Sequence, residues 1–325
     1  MENIKKKVLL IINPCSGRSK SRHSAFDIIE RFPKDEYDFS VHTTQCSGDA
    51  TNIVRNNCDD KDLVVCCGGD GTLNETINGV MDLPRRIPIG YVPAGTTNDL
   101  ASTLGIPRDA DKAVNIITTG DTHSYDIGLF NNRYYSYVAS FGAFTRSSYA
   151  TSQKLKNIFG HAAYIIDGVI KEWNKIPVYH MKIEYDGGVI EDDFSFGSVT
   201  NSTSVAGLFR FNKNDIKLND GLFEVLLVKK ATFANAPKLL YKITKKQYDG
   251  QQIIFLKTSK VKITCEEEVP WTLDGEYGGA HKTVMVHVLS KAIDICSPQD
   301  NILFEKDKPA GETAPAEEPS ESPAK

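Results

Sequence analysis

The chain has 325 residues, of which 40% are hydrophobic and 25% are charged, and its formal net charge is −4. This composition is typical of a globular protein, and the length allows two domains of roughly 100–200 residues each. The charge excludes a general attraction to nucleic acid and a strongly basic membrane-binding surface, although a local basic patch stays compatible with it. Seven cysteines without a CxxC pair favour free thiols over a disulfide framework.

The N-terminal segment MENIKKKVLLIINP superficially resembles a secretory signal, because lysines precede an apolar run. The run covers only residues 8–12, fewer than the roughly 7–15 residues of a signal-peptide core, and no small-residue cleavage site follows. We therefore predict that it forms a buried strand. No apolar stretch approaches the roughly 20 residues of a transmembrane helix. We expect a cytoplasmic protein that associates peripherally with the inner face of the membrane.

Residues 1–125 alternate between strand-like and helix-like segments. The predicted strands are KKVLLIINP, YDFSVHTT, DLVVCCGGD and IPIGYVPAG, and the predicted helices are SAFDIIERF, DATNIVRNN, TLNETINGVM, NDLASTLG and ADKAVNIITTG. Asp49 is expected to cap the second helix, and Asn98 or Asp99 the fourth. This alternation is typical of βαβ units with a mainly parallel sheet, and it predicts a Rossmann-like α/β domain.

Residues 126–292 are strand-rich. Turns are predicted at Asn131-Asn132 and at Asp186-Gly187-Gly188, and one helix is expected at about Ala236–Thr244. Several short strands with turn signals predict a C-terminal antiparallel β-sandwich domain. Residues 293–305 could return to the first domain.

Two further segments have distinct patterns. Apolar residues at helical spacing predict a helix within residues 149–175, which faces the core or, alternatively, lipid. Residues 308–325 are rich in proline, alanine and glutamate and lack large apolar side chains. We expect this tail to be disordered, because it cannot bury enough surface to offset the cost of ordering.

Glycines surround an acid in CCGGDGTLNETING, directly after the third predicted strand. A glycine-rich turn before a helix directs backbone N–H groups and the helix dipole toward an anion. Asp70, inside this turn, would repel a bare phosphate and suits a metal ion or a hydroxyl instead. NPCSGRSK and PAGTTNDLA end two further predicted strands. Because ligands of open α/β sheets bind at the carboxyl ends of strands, the three loops predict one composite nucleotide-phosphate site.

A pair of acids, Asp274 and Glu276, flanks Gly275 in WTLDGEYGGA. Carboxylates at positions i and i+2 of an extended segment lie on one face and could share a site. An Asp-Gly hairpin turn is the alternative, and spacing alone does not separate the two interpretations.

Motifs occur in the order NPCSG, GGDGTLNE, PAGTTND, TNS, KLNDG and LDGEYGG. This ordered set, within residues 6–305, resembles the soluble bacterial diacylglycerol kinase family, which shares its catalytic domain with sphingosine and ceramide kinases. GGDG by itself is less specific, since NAD kinases and phosphofructokinases have similar turns. The resemblance implies a nucleotide-binding α/β domain and a β-sandwich domain, with ATP in the cleft between them.

The resemblance also implies roles for individual residues. Asp274 and Glu276 are the expected catalytic pair, in which one carboxylate accepts the proton of a lipid hydroxyl as it attacks the γ-phosphoryl group of ATP. Asp70 is expected to meet the magnesium ion of ATP, directly or through water. The residues implied in ATP binding are Asn13, Pro14, Cys15, Ser16, Gly17, Thr44, Gly68, Gly69, Asp70, Gly71, Thr72, Leu73, Asn74 and Thr96.

A second, structural magnesium ion is implied at the KLNDG motif. Its ligands would be the Asp220 side chain and the backbone carbonyl groups of Lys217 and Leu222. Without the resemblance, this motif would be interpreted as a hairpin or bulge turn. Many relatives have Asp-Asp-Gly where this chain has Asn219, so the site has one carboxylate fewer and would hold the ion less tightly.

The expected function is that of an ATP- and magnesium-dependent lipid kinase, which phosphorylates diacylglycerol to phosphatidic acid. The alternatives are another acceptor lipid (phosphatidylglycerol, a monoacylglycerol or a sphingoid base), an NAD kinase-like activity, and a non-catalytic sensor. TNSTSVAGLFRF resembles the family's substrate-side loop, whose Phe209 and Phe211 could face acyl chains or the core. The expected partners are a membrane lipid at the bilayer surface and, as implied by relatives, a second copy of the chain.

Overall fold

Four parallel strands organise the N-terminal part of the chain in the computed structural model, which describes residues 5–17, 24–143, 176–205, 209–231 and 235–305. The elements are β1 (Lys6–Ile12), α1 (Ala25–Ile29), β2 (Tyr37–Thr43), α2 (Asp49–Asn57), β3 (Leu63–Gly68), α3 (Asp70–Met81), β4 (Ile89–Pro93), α4 (Asp99–Leu104) and α5 (Ala110–Thr119). The strands pair in the order β2-β1-β3-β4. β3 and β4 are buried at every position, as expected for a parallel sheet covered on both faces.

The predicted alternation of strands and helices is confirmed, whereas the predicted capping contacts differ. The N-cap of α2 is Gly48, and the Asp49 carboxylate accepts a hydrogen bond from the preceding Gln45 N–H at 2.6 Å. Asn98 occupies the N-cap of α4, but its side-chain oxygen accepts from Gly95 N–H at 2.9 Å. Both polar side chains therefore stabilise the loop before the helix and leave the first turn to other partners.

Antiparallel strands form most of the remaining described chain. The elements are β5 (Asp121–Phe130), β6 (Arg133–Tyr135), β7 (Val138–Gly142), β8 (Tyr179–Tyr185), β9 (Gly188–Thr200), β10 (Ser204–Val205), β11 (Phe209–Arg210), β12 (Phe223–Lys229), α6 (Ala236–Thr244), β13 (Ile253–Thr258), β14 (Lys260–Leu273) and β15 (Glu276–Ser297). Both predicted hairpin turns and the predicted helix α6 are confirmed. Trp271 lies at the centre of this region's core, 4.9 Å from Phe141 between ring centroids.

The 22-residue strand β15 connects the two parts of the chain into one sheet. It pairs antiparallel with β14 and β5, and near its end Ile295 pairs in parallel with Ile89 of β4. Along its main path this sheet has the strand order β13-β12-β9-β7-β14-β15-β4-β3-β1-β2. Register shifts on β14 and β15 allow the long strands to bend between the two regions.

Some sequence predictions fall outside the described residues. These are the helix within residues 149–175, the tail at residues 308–325, and Arg18 and Lys20 of the first loop. In the substrate-side segment, Phe209 and Phe211 are both buried, and Phe209 stacks on Phe196 at 5.1 Å, so they face the core. Every helix in the described part of the chain falls short of the length and apolar character that a bilayer span needs.

Candidate active site

Three loops meet at the carboxyl ends of β1, β3 and β4. The backbone N–H of Asn13, after β1, donates to the Cys67 carbonyl in β3 at 3.0 Å. The backbone N–H of Ala94, after β4, donates to the Gly68 carbonyl at 2.7 Å. These bonds hold the loops of the NPCSG, GGDG and PAGTTND motifs side by side, which is the juxtaposition that the sequence predicts.

An open cleft of about 420 Å³ lies between these loops. Eight residues implied in ATP binding line it, together with Glu276 of the implied catalytic pair. The eight are Asn13, Cys15, Ser16, Gly17, Thr44, Gly69, Gly71 and Thr72. The wall also contains Gly95 of the PAGTTND motif and four residues that the sequence did not assign to the site: Gln45, Cys46, Ser47 and Glu75.

The other implied ATP-binding residues are Pro14, Gly68, Asp70, Leu73, Asn74 and Thr96, and they lie beside this wall. Leu73 is buried in the core, and Thr96 is exposed with its carbonyl group accepting from Arg108 at 2.9 Å. Asn74 donates its side-chain amide to Asp274 at 2.6 Å. Of these three residues, Leu73 and Asn74 contact neighbouring elements of the protein.

The polar groups of the first loop suit a phosphate. Asn13 is fixed on both sides, since its amide donates to Thr72 Oγ1 at 2.9 Å and its oxygen accepts from Cys15 N–H at 2.9 Å. The Ser16 hydroxyl is buried in the wall and has no hydrogen-bond partner among the described residues. A buried hydroxyl without a partner is costly, and a phosphate oxygen would satisfy it. The residues present therefore fit the phosphates of ATP.

Helix α3 contributes its first turn to the cleft through Gly69, Gly71 and Thr72. Its N-cap residue is Gly69, which has no side chain to cap the helix. A helix N-terminus of this kind directs backbone N–H groups and the positive end of the helix dipole toward an anion. The acids of α3 are directed elsewhere: Glu75 accepts from the Gly48 and Ala50 N–H groups at the start of α2, at 2.7 and 3.2 Å.

The glycines of the motif allow the neighbouring backbone segments to pack closely. None of Gly68, Gly69 and Gly71 adopts a positive φ. A Cβ atom on Gly95 would lie 2.5 Å from Gly69 Cα, and one on Gly68 would lie 2.6 Å from Thr72 Cβ. The glycines therefore allow the β3 and β4 loops and the first turn of α3 to pack at backbone distance, which brings the walls of the cleft together.

Asp70 lies at the first position of α3, and its carboxylate accepts from Leu100 N–H at the start of α4 at 3.4 Å. Burial raises the pKa of Asp70, and backbone N–H groups of α4 oppose this shift. Asp99 is close by, and reduced solvation followed by the charge of Asp70 raises its pKa to about 6. In this arrangement Asp70 links α3 to α4 and stabilises the α4 N-terminus.

Asp274 is buried and occupies a turn, so the structure shows the hairpin turn, which is one of the two interpretations that the sequence left open. Asp274 (φ 47°) and Gly275 (φ 84°) connect the paired residues Leu273 and Glu276. Positive φ at both central positions is the geometry of a two-residue hairpin turn, for which Asp-Gly is a preferred sequence.

The Asp274 carboxylate accepts five hydrogen bonds, including the one from Asn74 at 2.6 Å. Ser136 donates its N–H and its hydroxyl at 2.6 and 2.7 Å, and the Tyr137 and Val138 N–H groups donate at 3.0 Å each. Burial raises the pKa of Asp274 and these donors oppose the shift. The side chain thus joins the hairpin turn, the β6–β7 connection and helix α3.

Glu276, in contrast, is exposed and lines the cleft. A Cβ atom placed on Gly71 would lie 3.3 Å from Glu276 Oε1, so the carboxylate lies next to the first turn of α3. The Asp-Gly turn therefore separates the two acids of the motif: one is directed into the protein and the other toward the N-terminus of α3. Of this pair, Glu276 has the carboxylate that a ligand in the cleft can reach.

The KLNDG motif lies before β12, and its Asp220 side chain forms an ion pair with a lysine. Asp220 Oδ1 accepts from Leu222 N–H at 3.0 Å, and Asp220 Oδ2 lies 3.4 Å from Lys257 Nζ. The same ammonium group lies 3.4 Å from Glu224 Oε1. Across the described residues no group of three or more acids, histidines or cysteines is arranged to hold a metal ion. The implied magnesium site, which needs the Asp220 carboxylate and two backbone carbonyl groups, stays a prediction, and in this structure the Asp220 carboxylate is paired with Lys257.

The acid in the wall that the sequence did not assign to the site is Glu75, whose hydrogen-bond partners are distant in sequence. Glu75 contacts residues 25–27 positions away, and no local motif signals such a contact. Gly95, in contrast, is part of the quoted PAGTTND motif, and its close approach to Gly69 could have been inferred from the glycines in both loops.

Comparison with known proteins agrees with the geometry. Residues 7–130 match the family described as Diacylglycerol kinase catalytic domain. The diacylglycerol kinase of Bacillus subtilis (strain 168) is 36% identical over 277 residues, covering 84% of this chain and 91% of that protein. The diacylglycerol kinase of Staphylococcus carnosus (strain TM300) is 33% identical over 301 residues, covering 91% and 97%.

Solved structures show the same fold. A crystal structure described as that of a candidate diacylglycerol kinase from Bacillus anthracis str. Sterne has a TM-score of 0.74 and 25% identity, covering 90% of this chain and 97% of that one. A second crystal structure, of a diacylglycerol kinase from the same organism, has a TM-score of 0.67 and 22% identity over 90% and 97% of the two chains. Given the extent and identity of the sequence matches, the chain belongs to the diacylglycerol kinase family of enzymes.

Proposed function

We propose that this kinase transfers the γ-phosphoryl group of magnesium-bound ATP to the hydroxyl group of diacylglycerol, forming phosphatidic acid and ADP. Membership of the family supports a lipid acceptor, and the names of its relatives support diacylglycerol. The observation that carries the proposal is the position of Glu276, whose carboxylate lies in the cleft beside the first turn of α3.

Each part of the cleft has a role in this proposal. The N-terminus of α3 and the Ser16 hydroxyl bind phosphate oxygens of ATP, and Asn13 fixes the first loop against α3. The lipid hydroxyl oxygen attacks the γ-phosphorus, and the new O–P bond forms as the bond to the β-phosphate oxygen breaks. Glu276 accepts the proton that the hydroxyl loses.

Asp274 acts as a positioning residue. Its bonds to Ser136 and Asn74 hold the turn that carries Glu276 against helix α3. The two acids therefore have separate roles: Asp274 sets the distance between the hairpin and α3, and Glu276 contacts the reacting hydroxyl.

A phosphoryl-transfer assay with radiolabelled ATP tests the proposal. Purified protein with magnesium should label diacylglycerol in mixed micelles faster than phosphatidylglycerol, a monoacylglycerol or a sphingoid base. Faster labelling of another lipid would reassign the acceptor. Labelling of NAD without labelling of any lipid would contradict the proposal.

A further inference from the structure

The segment at residues 229–248 is strongly basic in a protein whose net charge is negative. It contains six lysines and no aspartate or glutamate, whereas the whole chain has a formal charge of −4. Helix α6 lies within this segment. Positive charges concentrated on a short segment create a local electrostatic field, which attracts a negatively charged surface.

Helix α6 has one side in the core and one side in solvent. Leu239 and Ile243 are buried, and they belong to the same core as Val205 and Phe209 of the β10–β11 hairpin. Lys238, Tyr241 and Lys245 are spaced by three and four residues, which places them on one exposed face. Tyr241 is 57% exposed, and Lys245 Nζ lies 6.0 Å from the centre of its ring.

Half of the six lysines keep their charge unpaired. Lys229 pairs with Asp192, Lys230 with Asp193, and Lys242 with Asp249. Lys238, Lys245 and Lys246 are exposed and form no ion pair with any residue that the structure describes. The unpaired charges therefore lie on and directly after the exposed face of α6.

The residues that follow α6 contact the segment that contains the TNS motif. Tyr248 donates its hydroxyl to the Arg210 carbonyl at 2.9 Å, and its ring lies 6.1 Å from that of Phe211. At the start of the same segment, the Ser202 and Thr103 hydroxyl groups are hydrogen-bonded at 2.9 Å, which connects it to α4. A surface bound at α6 would thus lie next to an element that packs on the catalytic part of the chain.

We propose that the exposed face of α6, formed by Lys238, Tyr241 and Lys245 with Lys246 beside it, docks on a bilayer of anionic phospholipid. The inference rests on the proposed function in that it assumes a membrane lipid as acceptor. The lysine ammonium groups would contact lipid phosphates, and the tyrosine ring would lie at the level of the headgroups, where aromatic side chains with a polar tip are favoured. Lipid of this charge complements the segment, whereas an uncharged bilayer does not.

Vesicle co-sedimentation without ATP and without diacylglycerol tests the docking face. We expect the wild-type protein to bind vesicles of phosphatidylcholine mixed with an equal part of phosphatidylglycerol more tightly than pure phosphatidylcholine vesicles, and salt should weaken this binding. Changing Lys238, Lys245 and Lys246 together to glutamine should lower the affinity roughly 100-fold, at about fivefold for each lysine.

Two further variants sharpen the result. Replacing three exposed lysines elsewhere, Lys34, Lys112 and Lys282, by glutamine removes the same charge and should leave most of the affinity. Tyr241→Ser should weaken binding by an amount that does not depend on salt. Circular dichroism spectra and thermal melts that match the wild type show that each variant is folded.

The outcomes separate the docking face from the proposed function. Equal binding by the α6 triple variant and the wild type, or equal binding to neutral and anionic vesicles, would overturn the docking face. Charge-dependent binding that needs the α6 lysines, in a protein that labels no lipid with phosphate, would support the docking face and contradict the proposed function.

Discussion

The two acids of the DGE motif lie two positions apart in sequence and have opposite environments. Asp274 is 6% exposed and accepts hydrogen bonds from five donors, whereas Glu276 is exposed in the cleft. The hairpin turn causes this difference, because two residues with positive φ reverse the chain between the side chains. Chemical similarity of the two residues therefore does not imply similar function.

Asp274→Asn should destabilise the protein. The asparagine side chain has one acceptor oxygen, so several of the donors around it, including Ser136 N–H and Asn74, lose their partner. We expect a loss of about 2–4 kcal/mol in the free energy of unfolding. Urea denaturation measures it, and an unchanged denaturation midpoint would contradict the role of Asp274 as an anchor.

Glu224 makes stability depend on pH. It is fully buried, and burial raises its pKa from an ordinary value of 4.5 to about 8, although Lys257 opposes the shift. The folded protein thus retains a proton that the unfolded chain loses, so this group's contribution to stability falls as the pH rises from 4.5 to about 8.

Glu224→Gln should remove this dependence. The melting temperature of the variant, relative to that of the wild type, should therefore rise between the acidic and the alkaline ends of that range. Melting curves recorded over the range measure it. A difference that is constant with pH, or that falls, would show that Glu224 is ionised in the folded protein.

At the scale of elements, acids of helix α3 cap the N-termini of α2 and α4, whereas the N-terminus of α3 lines the cleft. Glu75 of α3 satisfies N–H groups of α2, and Asp70 of α3 satisfies those of α4. The N-cap of α3 is Gly69, which has no side chain to cap the helix, and the first turn of α3 lines the cleft. Helix α3 is thus the element around which the proposed phosphate site is arranged.

The close approach of two loops is needed to form this site. In Gly95→Ala, the new Cβ atom would lie 2.5 Å from Gly69 Cα, and a backbone atom cannot move aside without shifting its loop. We expect a loss of stability of about 1–3 kcal/mol and weaker ATP binding. In Gly71→Ala the Cβ would meet the Glu276 carboxylate at 3.3 Å, so this variant should fold like the wild type. Chemical denaturation compares them, and equal stability of the two variants would contradict the close-packing role.

We expect the reactivity of two loop cysteines to change when a ligand binds in the cleft. Cys15 and Cys46 are exposed and line the cleft, whereas the other five cysteines are buried. A hydrogen bond to Asp49 raises the pKa of Cys46, so its thiol should react more slowly than an ordinary exposed one. Magnesium-bound ATP should slow modification of both by a thiol reagent, and Cys46→Ser isolates the reaction of Cys15. Equal rates with and without saturating ATP would place the nucleotide elsewhere.

At the scale of the whole molecule, one sheet connects the two parts of the chain. β15 begins at Glu276 in the cleft and ends beside β4 of the parallel sheet, where Ile295 pairs with Ile89. The acid proposed for proton transfer and the loops proposed for ATP binding therefore belong to one hydrogen-bonded framework. This continuity fixes Glu276 relative to α3 without a ligand.

Local patterns predicted much of this arrangement. Local sequence patterns predicted the alternating elements and helix α6, and turn-forming residues predicted the Asn-Asn and Asp-Gly-Gly turns, because those features depend on neighbours in sequence. Contacts over long separations could not be inferred in this way. Asp274 meets Asn74 across 200 positions, and nothing near either residue signals the contact. The close packing at Gly69 and Gly95 is an exception, because both loops contain glycine and follow neighbouring strands, so their approach could have been inferred.

The most direct test of the proposed mechanism is the turnover number of Glu276→Gln with diacylglycerol, measured beside its affinity for ATP. Glu276 is exposed, so the variant should keep its stability within about 0.5 kcal/mol of the wild type. If Glu276 accepts the hydroxyl proton, the turnover number should fall about 10²–10⁴-fold while the affinity for ATP stays close to that of the wild type. A turnover number close to the wild-type value would contradict the assignment.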